Sequence, residues 1–152
     1  MTASTVIRPL VPADYTAWKP LFLDYYFDEV ITEDRLQNVW SFITNPDFAA
    51  HGLGLFENDK LCGFAHYMVY PCTYSGLMTS YLQDIYVHPD FRNRSFGRQL
   101  IQNVINHGTA QNWGRIVWKT RPDNTAAQSI YDTLTERSDW IYYEKALKKE
   151  AA

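Results

Sequence analysis

Cysteine is scarce in this chain, and the sequence also lacks the marks of secreted, membrane-spanning and nucleic-acid-binding proteins. Cys62 and Cys72 are too few for a disulfide framework, so we interpret them as reduced thiols of a cytoplasmic protein. The first ten residues have no basic region followed by an apolar segment, which argues against a signal peptide. No apolar run is long enough to span a bilayer. The net charge of −3 gives a nucleic-acid partner no electrostatic support.

The order of the periodic segments predicts one α/β domain over residues 1–152. Alternating or short apolar runs predict strands at residues 5–10, 51–56, 61–70, 79–88, 115–119 and 140–147. Apolar residues spaced three and four apart predict four helices, which begin near Asp14, Thr32, Gly97 and residues 122–125. This order predicts a mixed sheet that helices cover on both faces.

The most informative stretch is residues 81–100, YLQDIYVHPDFRNRSFGRQL. Its apolar alternation stops at a proline, an arginine-rich turn follows, and Gly97 opens an amphipathic helix. A helix start presents backbone N–H groups that have no partner within the helix, and the helix dipole is positive there. Arg92, Arg94 and Arg98 surround this start, and guanidinium groups match phosphate oxygens in charge and geometry. The stretch therefore predicts a phosphate site, with a solvated helix start as the alternative.

This turn and a second motif together resemble a known family. The fragment RNRSFG at residues 92–97 resembles the acyl-coenzyme A turn of the GNAT superfamily of N-acyltransferases, although Ser95 stands where the family usually has glycine. The fragment NTAAQSIY at residues 124–131 is similar to a later motif of the family, with Asn124 and Tyr131 at the matching positions. The resemblance implies a mixed, mostly antiparallel sheet of six to seven strands flanked by about four helices.

The resemblance also implies a coenzyme site and a catalytic acid. Backbone amides of residues 93–98 would hold the coenzyme A pyrophosphate, and the preceding strand would contact the pantetheine arm. Tyr131 is implied to be the general acid that protonates the leaving thiolate, with a packed helix tyrosine as the alternative. Asn124 would contact the pantetheine, cap the helix, or do both. The implied coenzyme-binding residues are Ile85, Tyr86, Val87, Arg92, Asn93, Arg94, Ser95, Phe96, Gly97, Arg98, Asn124 and Tyr131.

The general base is less clearly marked than the acid. Some relatives, among them polyamine acetyltransferases, place a glutamate on the fourth strand where this chain has Gln83, and an amide cannot accept a proton at neutral pH. The neighbouring carboxylate, Asp84, is our candidate, although strict alternation would turn it to the other face of the sheet. A β-bulge, which the family commonly carries in this strand, would re-aim Asp84. A water relay with no single essential base is the alternative.

Acidic residues between the first two helices indicate the acceptor. In the family this segment forms one wall of the acceptor site, and clustered carboxylates would attract a cationic amine. The alternative is that these acids complement helix dipoles and solubilise the surface. The candidate substrate-binding residues are Asp28, Glu29 and Glu33, with Asp34 beside them.

These observations predict an N-acetyltransferase that moves an acetyl group from acetyl-coenzyme A to a primary amine by direct attack, without a metal. The resemblance points to the polyamine, amino-acid and histone acetyltransferase branches, so the predicted acceptor is a polyamine, an amino acid or a lysine side chain of a peptide. It also implies a homodimer, and we expect no membrane or nucleic-acid partner. The alternatives are a non-catalytic acyl-coenzyme A-binding regulatory module on the same fold and an unrelated nucleotide-phosphate binder.

Overall fold

A computed structural model describes residues 2–148, over which the chain forms five strands and four α-helices. The strands are β1 (Thr5–Pro9), β2 (Ala50–Glu57), β3 (Lys60–Pro71), β4 (Met78–Val87) and β5 (Arg115–Val117). The helices are α1 (Tyr15–Tyr25), α2 (Glu33–Thr44), α3 (Phe96–Ala110) and α4 (Thr125–Tyr131). No helix of this described part is long and apolar enough to cross a membrane.

One sheet joins the strands in the order β1-β2-β3-β4-β5. The first four strands pair antiparallel, and β5 runs parallel to β4. The predicted α/β class, the mostly antiparallel sheet and the four helices are therefore confirmed. Each predicted element up to α4 is present, and the bounds of the strands and helices differ from the prediction by a few residues.

The prediction of six to seven strands is wrong for the described residues, because residues 140–147 form no strand. The side chains of this segment are exposed on both of its faces, with Trp140, Ile141, Tyr142 and Tyr143 between 66% and 87% exposed. Alternation predicts a strand only when one of its two faces is buried against other residues. Here neither face is buried, so the apolar pattern does not favour pairing with a neighbouring strand.

The main hydrophobic core lies where α1 and α2 cover the sheet. Trp18 of α1 and Trp40 of α2 have ring centroids 4.9 Å apart, and both belong to the same buried cluster as Phe64 of β3. The buried residues of α3 lie outside that cluster and are Phe96, Leu100, Ile101, Val104 and Gly108. Helices thus cover both faces of the sheet, as the element order predicts.

The predicted helix caps differ in what their side chains bind. Thr32 caps α2 by accepting the N–H three residues further on, at 3.2 Å, and Asn124 caps α4 in the same way at 3.2 Å. Asp14 precedes α1 but makes no capping bond to that helix. Its carboxylate accepts the N–H of Val11 at 2.8 Å and pairs with Arg8 at 2.7 Å. This pair ties the end of β1 to the start of α1.

The contacts within the chain group its residues into two compact units, 1–118 and 119–152. The first unit holds the sheet and α1 to α3, and the second holds α4. In the second unit, Gln128 of α4 donates to the carbonyls of Arg121 and Pro122, each at 2.9 Å, and Arg137 pairs with Asp132. The single-domain organisation over residues 1–152 stays a prediction.

Candidate active site

Strand β4 carries one more residue than the part of β3 that it pairs with, and this bulge sets which side chains face α1. Asp84 pairs with His66. Leu82 pairs with Tyr67, which leaves Gln83 without a partner in the ladder. Paired residues project from the same face of a sheet, whereas the sequence neighbours His66 and Tyr67 project from opposite faces. Asp84 and Leu82 therefore lie on opposite faces, so the bulge required to re-aim Asp84 is present.

Asp84 is buried, with 6% of its surface exposed, and both of its carboxylate oxygens have hydrogen-bonding partners. Tyr26, which directly follows α1, donates to Oδ1 over 2.6 Å. His66 Nδ1 lies 2.9 Å from Oδ2. Burial and the neighbouring Asp84 raise the pKa of Tyr26, so its phenol is protonated at neutral pH and acts as a donor. The three side chains form one hydrogen-bonded group under the end of α1.

Trp18, Tyr26 and His66 belong to this group but not to the predicted site. Trp18 Nε1 donates to His66 Nε2 over 3.0 Å, which connects the group to the aromatic core. One signal in the sequence could have identified His66, because it alternates with the apolar Phe64 on a strand. A polar side chain on a buried face needs a hydrogen-bonding partner. Trp18 and Tyr26 have no comparable signal, because many aromatic residues lie in the first helix and directly after it.

The turn at residues 92–98 presents the start of α3 as a place for an anion. Asn93 and Ser95 have φ of 61° and 62°, in the left-handed region, and Ser95 directly precedes the helix. The side chain of Ser95 does not cap α3, so the N–H groups of Phe96 and Gly97 at the helix start can face a ligand. A Cβ built on Gly97 meets one neighbouring atom within 4 Å, the Cγ2 of Val87 at 3.9 Å, so the space beside the helix start is open.

The part of β4 between the bulge and this turn has one open edge. Its ladder with β5 covers Thr79–Tyr81, so residues 82–87 have no strand partner on that side within the described part of the chain. The three predicted pantetheine contacts, Ile85, Tyr86 and Val87, belong to this open segment. Unpaired main-chain N–H and C=O groups can bind an extended, amide-containing ligand as an added strand would bind.

Two of the three predicted arginines hold the turn in place. Arg92 donates from Nε to the carbonyl of Val87 over 2.9 Å, at the end of β4. Arg94 donates from both terminal nitrogens to Glu57 at the end of β2, and this pairing raises the pKa of Arg94 and lowers that of Glu57. Arg98 lies in the first turn of α3. The turn is thus shaped by contacts within the protein itself, which reduces the ordering cost of binding.

The acidic cluster between α1 and α2 is largely paired with basic side chains. Lys19 donates to Glu33 over 2.8 Å, and this bond, with two further side-chain donors, lowers the pKa of Glu33 to about 2. Glu29 pairs with Arg35 over 2.7 Å. Asp28 is exposed on the same loop and has no ion pair within residues 2–148. The loop is therefore a surface of mixed charge rather than an acidic wall.

The second unit, considered by itself, contains the two residues of the later motif. Asn124 accepts the N–H of Ala127 at 3.2 Å, so its role as a helix cap is confirmed. Tyr131 is the last residue of α4, and its partial burial raises its pKa. A phenol that stays protonated at neutral pH has the form that a general acid requires. The catalytic role of Tyr131 stays a prediction.

Residues 2–148 contain no group of three or more His, Cys, Asp or Glu side chains placed to hold a metal ion. Cys62 and Cys72 are free thiols. The expectation that the reaction needs no metal stays a prediction.

Comparisons with known proteins agree with this geometry. The model of a family described as Acetyltransferase (GNAT) matches residues 14–134. The D-amino-acid N-acetyltransferase HPA3 of Saccharomyces cerevisiae is 24% identical over 144 residues, which cover 92% of this chain and 89% of that protein. The aminoglycoside N(6')-acetyltransferase type 1 of Salmonella typhimurium is 32% identical over 122 residues, which cover 78% of this chain and 75% of that protein.

Solved structures share the fold at lower sequence identity. The aminoglycoside N-acetyltransferase AAC(6')-Iy in complex with CoA has a TM-score of 0.79 and 24% identity, and the match covers 95% of this chain and 97% of that chain. The ribosomal-protein-alanine N-acetyltransferase of Brucella melitensis biovar Abortus has a TM-score of 0.82 and 21% identity, covering 95% of this chain and 100% of that chain. At these identities the likeness establishes the fold alone.

The left-handed backbone at Ser95 predicts a stability change. Replacing Ser95 with glycine removes the Cβ that disfavours this conformation, so Ser95→Gly should raise the free energy of unfolding by about 0.5–1 kcal/mol. Asn93→Gly is the matched control and should change it less, because asparagine tolerates positive φ. Urea unfolding measures both values. A loss of stability in Ser95→Gly would contradict the conformation of the turn.

Proposed function

The chain belongs to the Acetyltransferase (GNAT) family and is an acyltransferase, and we propose that it acetylates the amino group of a free amino acid with acetyl-coenzyme A. One observation carries the chemistry of this proposal. Asp84 is a buried carboxylate turned by the bulge toward α1, and Tyr26 is hydrogen-bonded to it and half-buried. An amine must lose a proton to become the acetylated product, and this pair can accept that proton.

Acetyl-coenzyme A suits the features at the end of β4. The uncapped start of α3 and the turn at residues 92–98 would take the pyrophosphate. The open edge of residues 82–87 would take the amide groups of the pantetheine arm. A related fold, the aminoglycoside N-acetyltransferase AAC(6')-Iy, is solved in complex with CoA. We assign Asn124 to the same ligand from its position in the later motif.

The reaction we propose is direct transfer within one ternary complex. A proton of the incoming ammonium first passes to the hydroxyl oxygen of Tyr26, while Tyr26 passes its own proton to Asp84, which leaves a neutral amine. The amine nitrogen then attacks the thioester carbonyl carbon, so a C–N bond forms and the C–S bond breaks. Tyr131, assigned from its position in the later motif, protonates the departing thiolate, and the second proton that the nitrogen loses as the amide forms passes through water to the Tyr131 oxygen. No covalent acyl-enzyme forms, and the carboxylate returns its proton to solvent after the products leave.

The charges near Tyr26 support a zwitterionic acceptor. Arg35 lies 5.7 Å from the centre of the Tyr26 ring and pairs with Glu29. An amino acid placed there would direct its ammonium group to Tyr26, and its carboxylate would take the place of Glu29 on Arg35. Glu33, bound to Lys19, has little capacity left to attract a polycation. A D-amino-acid N-acetyltransferase is among the relatives that match most of this chain.

We also propose that the enzyme is a cytoplasmic homodimer. The support for the dimer is the family resemblance, and the support for the compartment is the pair of free thiols. Amino acids are small and soluble, so such an acceptor requires no peptide, membrane or nucleic-acid partner. Lysine-bearing peptides and polyamines remain alternative acceptors from the same chemical class of primary amines.

Asp84→Asn tests the proposed proton acceptor. The amide keeps the shape of the side chain but cannot take a proton, so kcat should fall by about 100-fold or more. Affinity for coenzyme A, measured by calorimetry, should be unchanged because Asp84 lies outside the turn at residues 92–98 and its carboxylate is bound to Tyr26 and His66. Asp47→Asn makes the same chemical change at an exposed carboxylate and should keep full activity. Equal kcat for Asp84→Asn and the native enzyme would exclude Asp84 as the acceptor.

Tyr131→Phe tests the proposed acid. Loss of the hydroxyl should lower kcat by about 100-fold and leave coenzyme A affinity unchanged, since the thiolate then departs without a proton. Tyr143→Phe removes a hydroxyl from a tyrosine of the same unit that is 87% exposed, and it should have native activity. If Tyr131→Phe turns over at the native rate, Tyr131 is not the acid.

Paired acceptors test the substrate class. Phenylalanine and phenethylamine differ by the carboxylate alone, so kcat/KM should favour phenylalanine by about tenfold, as one charge-assisted hydrogen bond of about 1.5 kcal/mol would provide. Both enantiomers, spermidine, an aminoglycoside and a lysine peptide complete the panel, and thiol release measures turnover. Equal or better turnover of phenethylamine, or turnover of spermidine alone, would exclude a zwitterionic acceptor.

A further inference from the structure

The proton on His66 can be located from its two neighbours. His66 is 3% exposed, with Nε2 at 3.0 Å from Trp18 Nε1 and Nδ1 at 2.9 Å from Asp84. An indole nitrogen can only donate, so His66 Nε2 must offer a lone pair to Trp18. The single ring proton of a neutral His66 is then on Nδ1, from which it is donated to Asp84. Tyr26 donates to the other oxygen, so the carboxylate accepts from both sides and needs no proton of its own.

The same contact opposes a second proton on His66. In an imidazolium both nitrogens carry hydrogen, so Nε2–H would point at the indole N–H of Trp18. His66 has little room to turn away, because Phe64 stacks on it with centroids 4.6 Å apart and Phe22 lies at 6.0 Å. Trp18 itself is fully buried. The geometry therefore favours a neutral imidazole.

We propose that Trp18 is a positioning residue that keeps His66 neutral, and that Asp84 thereby remains able to accept the proton of the acceptor amine. This inference rests on the proposed role of Asp84. If His66 took a second proton, it would form an ion pair with Asp84, and the carboxylate would attract the substrate proton less strongly. Trp18 thus acts on catalysis through two hydrogen bonds without touching substrate.

The other titratable groups around this unit do not replace Trp18 in that role. Burial raises the pKa of Tyr26, which directly follows α1, so its phenol stays protonated at neutral pH. Glu29 from the loop and Arg35 from α2 pair with one another, so their charges largely cancel. From β4, Tyr86 faces the same core as a further phenol. Trp18 donates to His66 Nε2, so removing its indole N–H takes away the hydrogen-bond donor at that nitrogen.

Trp18→Phe removes the indole N–H and keeps an aromatic ring in the core. Histidine 15N NMR of the native protein should show the Nδ1–H tautomer for His66 at neutral pH. His66→Gln identifies the signal. In Trp18→Phe the lone pair of Nε2 loses its donor, so the acidic limb of the kcat/KM profile should move to higher pH.

Trp40→Phe is the matched control, because Trp40 is buried in the same cluster and its indole has no hydrogen bond within the described residues. Trp40→Phe should lower the free energy of unfolding and leave the His66 tautomer and the acidic limb unchanged. A purely structural role for Trp18 predicts the same result for Trp18→Phe. An Nε2–H tautomer or an imidazolium in the native protein at neutral pH overturns the proposal, even if Trp18→Phe does not fold. An unchanged acidic limb in folded Trp18→Phe overturns it as well.

The outcome is separable from the proposed function. If Asp84→Asn keeps native turnover, the proposed proton acceptor is wrong, whatever the tautomer of His66. If Asp84→Asn is inactive and Trp18→Phe keeps the native acidic limb, the function stands and the role of Trp18 fails.

Discussion

The carboxylate of Asp84 is buried, and its hydrogen bond to the half-buried Tyr26 connects it to the surface. The placement of the surrounding elements must supply this carboxylate with hydrogen bonds. Removing a carboxylate from water costs several kcal/mol unless hydrogen bonds replace the lost hydration. For Asp84 those bonds come from Tyr26 and His66, so the end of α1 and the register of β3 must be placed to deliver them. The aromatic core around Trp18 completes the arrangement, because its indole satisfies the remaining nitrogen of His66.

In the proposed function, different parts of the surface of β4 would bind the two substrates. Its open edge and the helix start that follows suit the coenzyme, whereas its α1 face carries Asp84. Asp84 precedes Val87 by three residues, about 10 Å of extended strand. A coenzyme arm that runs back from the turn along this edge would therefore end beside the carboxylate. The proposed acceptor at Tyr26 would meet it there, and such alignment of two reactants supplies much of the rate of a direct transfer.

The sequence predicts the parts of the site that local interactions determine. The turn and α3 follow from the spacing of residue types within residues 81–100. Ser95 is visible in the sequence as a departure from the glycine that the motif usually has. The bulge exists only relative to β3, so no pattern within β4 reveals it. Tyr26 and His66 are 58 and 18 residues from Asp84 in sequence, and tertiary packing alone brings them together. Residues 140–147 show the converse error, since an alternating pattern forms no strand where neither face is buried.

The central claim is that Asp84 receives the amine proton through Tyr26. A crystal structure of the enzyme with coenzyme A and an unreacted amino acid tests it most directly. The amino nitrogen should lie within about 3 Å of the Tyr26 hydroxyl, with the hydrogen bond from Tyr26 to Asp84 intact. An amino nitrogen that is hydrogen-bonded to a different base, with Tyr26 and Asp84 covered by protein and out of contact with the amino acid, would contradict this claim.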